Sequence, residues 1–183
     1  MGMLLAFAPF IAFAVIDRLV GSMEGLFAGA LVATVLLLRD VVSQGRVVKI
    51  LDLGTFILFC GLALYAYLLQ PNWSIIAVRL FVDSGLLAIV LLSLAIGKPF
   101  TLQYAREQVS AELWDTTEFY RTNVVISLAW ALAFGVMVAA ELALLYLPDI
   151  PHRAGVIAII LALVGAVKFT SWYPETRRNA ARP

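Results

Sequence analysis

Two charged side chains, Arg79 and Asp83, stand four residues apart inside the apolar run Ile75–Ile96. On a helix that spacing puts both on one face, one turn apart. As a helix the run reaches about 33 Å, enough to cross a bilayer core. Charge at that depth is costly, so it faces protein or water and finds a partner. Glu141 interrupts a second apolar run in the same way, and Asp17, Arg18 and Glu24 flank the turn between the first two runs. These six groups allow two chemistries. One is an internal salt-bridge network of Arg79, Asp83 and Glu141 that pins the helix of Ile75–Ile96 to the one that carries Glu141. The other is a polar cavity for a small ligand, an ion or a proton.

Other chemistry has little to work with. Cys60 and His152 are the only residues of their kinds. They support no intrachain disulfide, no haem or zinc ligand set and no Ser-His-Asp arrangement. Cys60 lies in an apolar run and reads as a buried, inert thiol. His152 reads as a solvated turn residue. No phosphate-binding loop or dinucleotide glycine fingerprint occurs. The expectation is therefore no catalytic residue, no metal and no cofactor. A net charge of +1 also argues against a general nucleic-acid binder.

Helices must position the six charges. The chain has 183 residues, 63% hydrophobic and 14% charged, where soluble domains have about 45–50% and about 25%. Lipid is the natural solvent for that excess. Six apolar runs are separated by turn residues, which predicts an all-α polytopic membrane helix bundle. The first run, about 3–20, lacks a positive n-region and reads as a retained membrane helix, kinked or late-starting at Pro9. The second, about 22–38, ends at Arg39-Asp40 and carries Gly25 and Gly29, whose G-x-x-x-G spacing lets two backbones approach closely. The third is about 53–69. The fourth is Ile75–Ile96, capped by Asn72 or Ser74 and stopped by Gly97 and Pro99. The fifth is about 123–147, opened by a capping box at Asp115–Glu118. The sixth is about 154–173, stopped by Pro174. Residues 1–174 thus read as one transmembrane domain. Within it, 98–121 reads as a cytoplasmic amphipathic helix on the membrane surface, with Leu102, Val109 and Leu113 on its apolar side. Residues 175–183 read as a basic, frayed tail.

Charge sets the orientation. The loop between runs two and three has three basic residues (Arg39, Arg46, Lys49), as do segment 98–121 (Lys98, Arg106, Arg121) and the tail (Arg177, Arg178, Arg182). The other side has Arg18 and Arg153, and Arg79 and Lys168 lie within helices. The total 9 + 2 + 2 accounts for all 13. Both termini are then expected in the cytoplasm, with the polar groups at 17, 18, 24, 79, 83 and 141 toward the outer face.

The opening FAPFIAFAVIDRL, an Ala/Gly-rich second helix, a basic loop, Phe59-Cys60-Gly61-Leu62-Ala63-Leu64 and the ending Gly97-Lys98-Pro99 resemble the bacterial intracellular septation protein A family. These features cover about half the chain. The second half departs from that pattern. KPFTLQYAREQVSAELW and RTNVVISLAWALAFGVM look more like related proteobacterial inner-membrane proteins of uncharacterised function. The resemblance implies a non-enzymatic role in the cell envelope, exercised through membrane-protein partners or a homo-oligomer, and carries over no catalytic residue. Two alternatives remain open. One is a small dimeric transporter or channel lined by Arg79, Asp83 and Glu141; the other is a structural accessory subunit of a membrane complex.

Overall fold

The computed structural model describes residues 2–43, 47–147 and 149–180. Arg46, Pro148 and Arg182 lie outside that set. The described residues form helices and no strand: α1 (Gly2–Leu5), α2 (Ala8–Leu19), α3 (Ser22–Val42), α4 (Ile50–Leu69), α5 (Ile75–Ala95), α6 (Phe100–Arg106), α7 (Thr117–Tyr146) and α8 (His152–Ala180), with one 3-10 turn at Ala111–Leu113. Among them α3, α4, α5, α7 and the stretch of α8 from His152 to Arg177 are each long and apolar enough to cross a membrane. This is a multi-pass helical membrane protein.

The first apolar run differs from the other five. Pro9 has no N–H to bond the Leu5 carbonyl, so the helix breaks and restarts with Phe7 as N-cap. The resulting α2 has 12 residues and rises about 18 Å. The rings of Phe10 and Phe13 lie 5.1 and 5.8 Å from that of Phe59, which is halfway along α4. The N-terminal end of α2 thus reaches only the middle of its neighbour, and α1 continues from there.

The chain divides into two compact units, Met1–Ile89 and Val90–Pro183, with the boundary inside α5. In the first, α2 and α3 form a tight hairpin and α4 packs on α3. Gly25 meets a neighbouring backbone, whereas Gly29 makes room for a side chain of another helix. A Cβ on Gly25 would stand 3.0 Å from the Asp17 amide nitrogen of α2, and one on Gly29 only 2.5 Å from the Phe59 ring of α4. α3 is therefore the helix on which both neighbours close. Phe13, Leu26, Phe59, Ala63, Ala66, Val78 and Val82 make the buried core of this unit.

In the second unit, α5 ends where the sequence indicates. Gly97 adopts φ +70°, a left-handed conformation that costs a residue with a Cβ but not glycine. The Lys98 amide bonds the Ser93 carbonyl at 2.9 Å and the Gly97 amide bonds that of Leu94 at 3.0 Å, a Schellman ending. The chain then turns inward. The Ser93 hydroxyl accepts the Phe100 amide at 3.2 Å. Phe100, Thr101, Leu102 and Tyr104 are buried, with the Thr101 hydroxyl on the Asn123 carbonyl of α7 at 3.0 Å and 2.8 Å from the Ser127 hydroxyl.

Segment 98–121 is consequently not one amphipathic surface helix. α6 is seven residues long and packs against α7, with Phe100, Thr101, Leu102 and Tyr104 buried and Thr101 bonded to Asn123 and Ser127. Leu102 is buried while Leu113 is exposed, so the two do not share an apolar face. Three further boundaries move. α3 runs on past Arg39-Asp40. The cap of α7 is Thr116, whose hydroxyl accepts the Phe119 amide at 3.3 Å, not Asp115. α8 passes through Pro174 to Ala180, because a proline deep in a helix removes one hydrogen bond and that loss falls near the polar end of the segment. The expected cap at Ser74 is present: its hydroxyl accepts the Ala77 amide at 3.1 Å.

α7 and α8 form the hairpin of the second unit. Trp130 donates its indole N–H to the Thr170 hydroxyl at 2.9 Å, and that hydroxyl donates to the Ala166 carbonyl at 2.8 Å.

Candidate functional site: two buried charge networks on α3

Arg79 sits in the second turn of α5. Its guanidinium donates from Nε to Asp17 Oδ2 at 2.8 Å and from Nη2 to the same oxygen. The other Asp17 oxygen accepts the Ser22 hydroxyl at 2.6 Å. Asp17 belongs to the last turn of α2, where the helix dipole disfavours a carboxylate; two strong donors offset that. Its side chain is fully buried, while that of Arg79 is 36% exposed. The network ties α2, α3 and α5 at one end of the first unit. Beside it lies a cavity of about 370 Å³, lined by Ser22, Leu26, Ala66, Gln70, Trp73 and Val78 among others. Trp73 stacks on Tyr65 with ring centroids 5.2 Å apart.

The second network lies at the other end of α3, about 27 Å away at 1.5 Å per residue. Asp40 accepts the Lys49 ammonium at 3.1 Å on Oδ2 and the Arg39 guanidinium at 3.0 and 3.2 Å on Oδ1. Asp40, Lys49 and Asp52 are each at most 5% exposed, and Thr55 is 1% exposed. A lysine buried this fully is unusual unless paired.

Of the six polar groups singled out in the sequence, Arg79 and Asp17 are brought together. Asp83 lies one turn further along α5, half-buried. Arg18 and Glu24 are exposed near the α2–α3 turn. Glu141 is buried on α7, in the second unit. In the sequence Asp40 reads as a helix-end residue and Lys49 as a loop residue, and Asp52 is given no role. Helical periodicity does mark two of them. Gly25, Gly29, Ala33, Leu36 and Asp40 are buried along α3, and Asp52, Thr55, Phe59, Ala63 and Ala66 along α4, both at steps of three or four residues. A charge falling on such a stripe is a buried charge.

Among the described residues no group of three or more His, Cys, Asp or Glu side chains is placed to hold a metal ion. No protein-family model, curated protein or solved structure matches the chain.

Proposed function

We propose that this chain is a non-enzymatic inner-membrane protein of the bacterial envelope, of the septation protein A type, that acts through contact with membrane-protein partners. The closed Arg79–Asp17–Ser22 network carries the reading. Both Asp17 oxygens and two guanidinium donors are engaged within the protein, which suits a group that holds helices rather than one that handles a substrate. The segment between α6 and α7 supports it. Leu113 and Trp114 are 48% and 37% exposed on a stretch outside the five spans, with the Arg106 guanidinium 5.5 Å above the Trp114 ring. An exposed Leu-Trp pair on a polar segment is a suitable contact point.

The experiment is in-cell photocrosslinking from position 113, with Leu113→Asp as the comparison. The reading expects one or a few defined membrane-protein adducts that Leu113→Asp removes while the protein keeps its melting temperature. Absence of protein adducts from positions 113 and 114 counts against it.

The basic-residue distribution favours cytoplasmic termini on both sides, which requires α1 and α2 together to cross. Reporter fusions at residue 1 and residue 183 should then give the same cytoplasmic response; opposite responses would leave only five crossings. The cavity beside Asp17 favours a second reading, a small transporter or channel. Under it, Asp83→Asn, one turn along α5 from Arg79, abolishes flux in reconstituted vesicles without loss of folding.

A further inference from the structure

We propose that the face of α8 turned away from α7 docks a membrane-spanning helix of another protein, one that carries a carboxylate at the depth of Lys168. The inference rests on the contact function proposed above; it adds a second surface and names the chemistry of the partner.

α8 is the least covered of the five spans, with 11% of its apolar stretch buried against 22–33% in the others. One side of it meets α7. Ala166 is 5% exposed, Thr170 takes the Trp130 indole N–H, and a Cβ on Gly155 would stand 2.6 Å from Leu144. Lys168 follows Ala166 by two residues, about 200° around the helix, and is exposed. Ile157, Leu161 and Val164 share its face and are 56%, 66% and 46% exposed. From Ile157 to Lys168 the steps are four, three and four residues, the seam by which two helices pack along their length. Gly165 stands beside that seam, and a Cβ there would meet nothing within 4 Å, so a second backbone has room to approach.

Lipid suits the apolar members of this face but not the lysine. Lys168 has no hydrogen bond or ion pair among the described residues. It stands one turn before Trp172, about 6 Å deeper in the span, where Trp172 and Tyr173 are the aromatic residues that mark an interface. A charge inside a span ordinarily pairs with its opposite or faces water. Direction hinders escape to the lipid headgroups. Helical side chains lean toward the N-terminus, whereas the near surface lies toward the C-terminus of α8, so the ammonium is carried toward the middle of the bilayer. A carboxylate on a helix packed along the seam satisfies it in place, and a lysine at one seam position fixes the register of the pair. A second copy of this chain does not supply that group. A symmetric α8 contact sets Lys168 against Lys168, α8 has no acidic residue before Glu175, and Asp40, Asp52 and Glu141 of the other spans are buried.

The test uses the labelled full chain in phosphatidylcholine vesicles, with Förster transfer to a Leu-Ala transmembrane peptide that carries one Glu a turn inside its aromatic end. The expected result is binding about three- to thirtyfold tighter than to the same peptide with Gln, the range of a polar contact between membrane helices. Lys168→Arg should keep this preference and Lys168→Met should lose it, both at an unchanged melting temperature because the side chain is exposed. Lys168→Glu should transfer the preference to a peptide with Lys at that position. Equal binding of the Glu and Gln peptides to wild type overturns the proposal, as does a preference retained in Lys168→Met. Enrichment of phosphatidylglycerol around wild type but not around Lys168→Met, without discrimination between the peptides, overturns it too, by assigning the ammonium to a lipid phosphate. Crosslinking from position 113 does not involve α8, so the two readings fail separately.

Discussion

Replacing Arg79 by methionine should cost more stability than replacing its partner Asp17 by asparagine. Methionine keeps the length and apolar stem of arginine but removes every donor. The Asp17 carboxylate, fully buried, would retain only the Ser22 hydroxyl. Breaking a fully buried ion pair from one side costs about 3–5 kcal/mol. Arg79 is 36% exposed, so solvent already screens part of the pair and the figure is discounted to about 2–3 kcal/mol. Asp17→Asn leaves a neutral amide that still accepts from Ser22, and it leaves an arginine that can reach water. That change should cost about 1–2 kcal/mol. The double variant removes both charges and should lie nearer to Asp17→Asn than to the sum, giving a coupling of about 1–2 kcal/mol. Reversible unfolding of the purified chain in mixed micelles by added denaturing detergent measures all four proteins. Two results would refute the reasoning. One is Arg79→Met within about 0.5 kcal/mol of wild type, the range of an ordinary surface change. The other is strict additivity, which would mean that the two side chains do not act as a pair.

Four further outcomes follow from the packing. Gly29→Val should destabilise by about 2–3 kcal/mol through overpacking, since the added Cβ meets the fully buried Phe59 ring. Gly61→Ala, whose Cβ meets nothing within 4 Å, should be neutral or stabilising in the same unfolding assay. Gly97→Ala should cost about 1 kcal/mol, because a Cβ is disfavoured at positive φ; a smaller change would mean that the α5–α6 turn relaxes freely. Thr55→Val should stabilise by about 1 kcal/mol, because it exchanges a buried hydroxyl without a hydrogen-bond partner for a methyl of the same shape. Destabilisation there would show that the hydroxyl has a partner inside the protein.

What the sequence determined on its own is local. Helix length and lipid exposure follow from apolar run length, and Ser74, Gly97 and Pro9 mark a start, a stop and a break through backbone chemistry confined to a few neighbouring residues. The close approach at Gly25 was legible for the same reason, since a missing Cβ is a property of the residue itself, whereas the Phe59 ring that fills the space at Gly29 was not. Only the tertiary structure decided who meets whom. The spacing of Arg79 offered Asp83, one turn away on the same helix, yet the guanidinium is bonded to Asp17, 62 residues earlier. A short-range pair is fixed by the helix repeat, whereas that one exists because the α2–α3 hairpin brings the end of α2 against α5. The same holds for Lys49, whose place in a polar loop suggested a solvated charge for orientation. Folding places it against Asp40, nine residues back, and covers both. Segment 98–121 shows the limit from the other side. Its helical spacing of apolar residues was real, but whether such a face meets lipid or protein depends on what is packed opposite, and Asn123 and Ser127 of α7 supplied partners for Thr101 that periodicity along α6 does not encode.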